Sequence, residues 1–129
     1  MKKLILIIST IVFTSCSTGT YHEYEVINHT SKRIIVEVTT YGGEYQKFLS
    51  YEINPNDWEN IFEHPNHPGM IQNKDNFLKY IKSIEIYDAS NHNKMVKKFT
   101  SNNMKNTNKD GLFGHYIMHK FIVTDNDFE

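Results

Sequence analysis

Short runs of β-branched and aromatic residues that alternate with a period of two, separated by turn residues, constrain this chain most. Residues 33–41 are the cleanest case: Ile34, Val36 and Val38 fall on one side, and Arg33, Glu37 and Thr39 on the other, with Ile35 the exception. A half-buried strand gives that pattern because successive side chains point to opposite faces. Residues 21–28 alternate less perfectly, with Tyr24 and Val26 opposite Ile27. Residues 45–53 place Tyr45, Leu49, Tyr51 and Ile53 together, and residues 81–87 set Ile84 and Ile86 against Glu85 and Tyr87. Residues 58–63 read as a short strand with Trp58 and Phe62 in or beneath the core. Residues 94–100 and 113–124 complete the set, the last with a bend near Gly114.

The segments between these runs carry turn chemistry. Asn28-His29-Thr30-Ser31, Gly42-Gly43, Asn54-Pro55-Asn56-Asp57 and Asn91-His92-Asn93 all read as turns. Residues 63–69 read as a loop marked by Pro65, Pro68 and Gly69, and residues 101–111 as a polar, mobile loop. Residues 76–82 fit either a short helix or the approach to a strand. Residues 125–129 form an acidic end expected to fray. About seven strands with no competing helical periodicity point to an all-β fold: an antiparallel β-sandwich, immunoglobulin-like in architecture, with at most one short helix. A small open β-barrel is the alternative.

The beginning of the chain follows different rules. Lys2 and Lys3 precede a ten-residue, mostly apolar run, 4–13, which is too short to span a bilayer but has the layout of a secretory signal. Thr14 and Ser15 are small, and Cys16 follows. Phe13-Thr14-Ser15-Cys16 resembles a lipobox, the site where a signal peptidase cuts after diacylation of the thiol; the usual pattern has Leu where this chain has Phe13. Three segments are expected: a signal peptide at 1–15, a lipidated tether at 16–20 and a single β-rich domain at 21–129. Cys16 is the lone cysteine, so no internal disulfide can form and packing must hold the domain together. Two acyl chains give durable anchoring. Ser17, rather than Asp, after the cysteine favours the outer membrane by analogy with the sorting rule of enteric bacteria. Residues 17–22 contain no acidic cluster resembling a surface-export signal, so the periplasmic face is expected.

The lipobox, the Tyr24-Glu25-Val26-Ile27-Asn28-His29-Thr30 opening and the Phe121-Ile122-Val123-Thr124-Asp125 ending together resemble small uncharacterised lipoproteins of Bacteroidetes-type bacteria. The resemblance implies the same location and a β-sandwich, and transfers no active site.

Composition excludes some functions. A formal net charge of -1 gives no strong attraction to nucleic acid, and none is expected as a partner. Thirteen Lys against the single Arg33, with 14 Asn, look like the product of an AT-rich genome.

Several residue groups are candidates for chemistry. His64 and His67 share one expected loop beside Glu63, and His with carboxylate suits Zn²⁺ or similar metals. A third ligand would have to come from elsewhere, with His115 or His119 available. In a strand those two are about 13 Å apart and cannot chelate together. The plainer reading is solvated loop histidines and a strand histidine with a local hydrogen bond. The serines lack a Gly-x-Ser-x-Gly elbow. Asp57 with Glu59, and Asp125 with Asp127, are the carboxylate pairs that glycoside hydrolysis would need, yet each lies beside turn residues. Gly42-Gly43 and Gly111-Leu112-Phe113-Gly114 lack the spacing and the Lys of a phosphate loop. Asn28-His29-Thr30 fits a glycosylation sequon but is read as a turn.

Tyr21, Tyr41, Tyr45, Phe48, Tyr51 and Trp58 concentrate in the first half. They suit sugar stacking or a protein interface, or else are core and cross-strand pairs. The expected role is a non-catalytic, lipid-anchored module that binds an envelope protein or glycan, with no cofactor and with loops 63–75 and 101–112 as its faces. The alternatives are a metal-binding protein or metal-dependent enzyme using the loop histidines, and a periplasmic inhibitor or immunity protein.

Overall fold

The computed structural model describes residues 19–65, 80–100, 103–111 and 114–129. Among them are eight strands: β1 (Gly19–His29), β2 (Ile34–Thr40), β3 (Phe48–Ile53), β4 (Trp58–Pro65), β5 (Ile81–Asp88), β6 (Asn91–Phe99), β7 (Lys105–Gly111) and β8 (Gly114–Thr124). They form two four-stranded sheets, ordered β4-β1-β8-β7 and β3-β2-β5-β6. The fold is the expected all-β sandwich rather than a barrel.

One pairing departs from the antiparallel expectation. β1 and β8 run parallel, from Gly19↔Gly114 to His29↔Thr124. A parallel pair needs a long connection between its strands. Here all of β2 to β7 lies between, so the first and last strands can meet side by side.

The two inner faces make one core. β1 contributes Tyr24 and Val26, and β8 contributes Phe121 and Val123. From the facing sheet come Ile34, Val36 and Val38 of β2, Ile84 and Ile86 of β5, and Phe99 of β6, all buried. Phe99 and Phe121 meet across the sandwich at 5.0 Å between ring centroids. Each fully buried side chain of this size contributes about 1.5–3 kcal/mol.

The alternation fails in one informative place. Tyr24 pairs with Phe62 and Glu25 with Asn60, so Ile61 is an extra residue on β4, a β-bulge. Ile61 and Phe62 are therefore buried in succession. The bulge's carbonyl is used across the sandwich edge, where the Tyr51 hydroxyl of β3 donates to Ile61 O at 3.1 Å.

Several local expectations need correction. Trp58 is exposed, because it pairs with Ile27 on the outer face of its sheet. The third strand starts at Phe48, and Tyr45 lies in the connection from β2, where Gly42 and Gly43 adopt positive φ of 82° and 78° as a tight turn requires. The β5–β6 turn is Ala89-Ser90, with Asp88 accepting from Ser90 N and Oγ; Asn91 already begins β6. Residues 105–111, expected as a mobile loop, form edge strand β7. Its sequence carries no apolar signal, but its backbone pairs with β8 from Lys105↔Lys120 to Gly111↔Gly114. The acidic end does not fray. It closes as a 3-10 turn, Asp125–Phe128, fixed by Asp127 accepting from Thr124 N and Lys97 Nζ, each at 2.8 Å.

β4 extends to Pro65 and thus takes in the start of the expected 63–69 loop; residues 66–79 lie outside the described residues. Gly19 and Thr20, expected in the tether, already belong to β1.

Candidate functional site

β3 and β4 are each the outer strand of their own sheet, and both lie along the same side of the sandwich. Between them opens a groove of about 420 Å³ lined by Tyr45, Gln46, Leu49, Tyr51, Asn60, Ile61, Phe62 and Glu63. Its shape follows from local structure. The turn at Gly42-Gly43 carries Tyr45 over the end of β4, where it meets the Phe62 ring edge-on at 5.1 Å. The bulge at Ile61 turns its carbonyl toward Tyr51 and fixes the opposite wall. Burial and then the neighbouring carboxylates push both phenols up: Glu44 acts on Tyr45, and Glu59 on Tyr51. Both stay protonated at neutral pH and keep a hydroxyl donor. The groove thus offers aromatic faces, hydrogen-bonding groups and negative charge, and suits binding more than bond-breaking.

Behind the groove lies a second cluster. His22 of β1, His64 of β4 and His119 of β8 are each 1% exposed. Period-2 alternation puts His22 inward with Tyr24 and Val26, and the registers His22↔His64 and Tyr24↔His119 bring the three imidazoles to one end of the core. His22 Nδ1 and His119 Nε2 are 2.7 Å apart. Their ring planes differ by 9° with centroids 5.1 Å apart, which is the N···N distance plus about two ring radii. The rings therefore lie edge to edge and share one proton, one nitrogen donating and the other accepting. His64 Nε2 is 2.9 Å from the Tyr24 hydroxyl, and its ring lies 4.2 Å from that of Tyr80. Tyr80 in turn meets Tyr45 of the groove at 5.6 Å.

Burial, reinforced by His22 and His64, pushes His119 down to about 3. Burial also lowers His22. Burial, and then Tyr80, push the Tyr24 phenol up. Burial thus favours the neutral form of both His22 and His119. The bond between His22 and His119 points two ring nitrogens at each other rather than at a common centre. Among the described residues, no group of three or more His, Cys, Asp or Glu side chains is placed to hold a metal ion.

The residues singled out from the sequence fare differently. Cys16 and His67 lie outside the described residues. His64 is not a solvated loop residue but a buried one, because β4 continues through it. His119 is buried with it, while His115 sits four positions earlier on β8, opposite Thr20 and Asp110. Asp57 and Glu59 are exposed, and Asp57 accepts from Trp58 N at 2.9 Å. Asp125 accepts from Ser31 N and Oγ, and Asp127 closes the final turn, so this pair serves the chain's own fold. The Asn28 side chain is fully buried, donating to Lys32 O, Ile53 O and Asn54 O and accepting from Thr30 N and Oγ1. It is a hub beneath the turn and is closed to glycosylation in the folded chain.

Of the six aromatics, Tyr45 and Tyr51 line the groove, whereas Tyr21, Tyr41, Phe48 and Trp58 are exposed elsewhere. The sequence reading missed His22 and Tyr80. For His22 the signal was present, since it shares the period of Tyr24 and Val26, but a histidine reads as polar in such a pattern. No family model, curated protein or solved structure matches the chain.

Proposed function

We propose that this chain is a lipid-anchored, non-catalytic module of the bacterial cell envelope that captures a protein partner in the groove between β3 and β4. The observation that carries the binding role is the groove itself, a recess walled by Tyr45, Tyr51 and Phe62 between two edge strands. Edge strands with aromatic walls accept extended segments, because main-chain groups give affinity and pockets give selectivity. Asp57 accepts from Trp58 N, Asp125 and Asp127 are committed to the chain's own turns, and His64 faces the core, which favours binding over catalysis or metal chemistry.

The anchor rests on the sequence around Cys16, as does the placement at the outer membrane facing the periplasm. Three Cα steps separate Cys16 from Gly19, where β1 begins, a reach of about 11 Å at most. Acylation of Cys16 would therefore hold the β1 end of the sandwich close to the bilayer, leaving the opposite turns at Thr30–Arg33 and Asn54–Asp57 directed away.

Intact-protein mass spectrometry of membrane-extracted protein tests the anchor. The expected mass corresponds to cleavage before Cys16 plus acyl chains, and Cys16→Ala abolishes both. A mature protein that is unlipidated and soluble in both forms would remove the anchor from this reading.

A further inference from the structure

The groove carries a charge pattern that its shape does not require. Glu63 lines it, and Glu44 and Glu59 act electrostatically on Tyr45 and Tyr51. No Lys, Arg or His is among its lining residues. Elsewhere on the described surface, four acids are ion-paired with Lys or Arg, Asp88 with Lys32, Glu52 with Arg33, Asp127 with Lys97 and Glu85 with Lys98, and Glu37 is hydrogen-bonded to His92. Glu44, Glu59 and Glu63 belong to none of these ion pairs. Glu63 also stands directly opposite Glu23 in the β1–β4 register, and like charges facing across a ladder are destabilising.

An aromatic recess with Glu63 in its wall, and with Glu44 and Glu59 close enough to act on its tyrosines, favours an ammonium or guanidinium group. The carboxylates supply Coulomb attraction, and the half-buried rings of Tyr45 and Tyr51 supply cation–π attraction. An acidic or uncharged segment would gain neither. We propose that the β3–β4 groove recognises a basic segment of a partner protein, with a Lys or Arg side chain seated between the tyrosines. This rests on the reading of the groove as the binding site and names the chemistry of what enters it.

The test uses the full chain extracted in detergent and isotopically labelled for NMR, titrated with hexalysine, hexaglutamate and an uncharged Gly/Ser hexamer. Hexalysine is expected to shift the amide signals of Tyr45, Leu49, Tyr51 and Phe62 while leaving Ser90, at the far end, unmoved. Raising the salt to 0.5 M is expected to weaken this binding about tenfold, since exposed charges are then screened. Glu59→Gln and Glu63→Gln, both at exposed positions, should each weaken it about three- to fivefold with the rest of the spectrum preserved. Equal shifts from the uncharged or acidic peptide would overturn the assignment of a cation and leave the groove standing as a binding site. Hexalysine shifts that spread over the surface, that survive both substitutions, or that are absent at the groove would overturn it as well. None of these outcomes affects the cross-linking test of the groove described below, so the two failures are separable.

Discussion

Replacing His119 with Phe removes a titrating group from the core, and the consequence can be worked out. In the unfolded chain a histidine titrates near 6.5. In the folded protein His119 is held down to about 3 by burial and by His22 and His64. Between those values the unfolded state binds a proton that the folded state refuses. The stability associated with neutral His119 is therefore fully present above pH 6.5 and is lost as pH falls toward 3. The slope approaches 1.4 kcal/mol per pH unit, and the loss reaches about 3 kcal/mol by pH 4. That is a large part of the 5–15 kcal/mol typical of a domain. His119→Phe keeps a ring in the site and abolishes this proton linkage. It also removes the hydrogen bond to His22 Nδ1, an offset present at every pH. The comparison is accordingly between slopes. Urea unfolding at pH 7, 6, 5 and 4, followed by far-UV circular dichroism, is the assay; Trp58 is too exposed to serve as a fluorescence probe of the core. The variant should lose about 3 kcal/mol less than the parent between pH 7 and pH 4. Parallel curves would mean that His119 takes up its proton in the folded state, and the account of a neutral, buried His119 would be refuted.

Other perturbations follow from the same structure. Asn28→Ala leaves the buried carbonyl of Ile53 and the part-buried carbonyl of Asn54 without this donor, while Lys32 O keeps the Thr30 hydroxyl, and should cost about 2–4 kcal/mol in urea unfolding, since each unsatisfied group costs about 1–3 kcal/mol. Asn28→Asp directs a carboxyl oxygen at those carbonyls, so its folded-state pKa should rise above the unfolded value near 3.9; its deficit against the parent should widen as pH rises from 4, and a deficit independent of pH would contradict this. Tyr51→Phe removes the hydroxyl that satisfies Ile61 O at the bulge, with an expected loss of about 1–2 kcal/mol and faster amide exchange in β4 than in β8. Phe121→Ala empties the centre of the sandwich and should cost about 3–5 kcal/mol, an effect visible as a lower thermal midpoint.

The strands that face a core on one side and water on the other were the legible part of this fold. β2 shows it: Ile34 to Thr40 alternates buried and half-buried without a break, as its spelling implies. β5 follows the same rule from Ile84 to Tyr87. β7 was not legible, because its seven residues carry no hydrophobic signal and it exists through the ladder it forms with β8. Trp58 misled for the opposite reason. Its size suggests the core, but the register with Ile27 faces it outward. The parallel meeting of β1 and β8 depends on contacts about 95 residues apart that no local pattern encodes. At the candidate site, the sequence marked Tyr45 and Tyr51 through aromatic density, and His64 and His119 through residue type. Their assembly came from registers: one pairs His22 with His64, another pairs Tyr24 with His119, and a bulge turns Ile61 toward Tyr51.

The claim that the β3–β4 groove is where a partner docks is tested most directly by site-specific photo-cross-linking in living cells. A benzophenone side chain would replace Gln46, on the groove, or Lys94, exposed on β6 at the opposite edge of the sandwich. The account predicts a discrete cross-linked protein from position 46 and no such product from position 94. The same products from both positions, or a discrete product from position 94 alone, would contradict it.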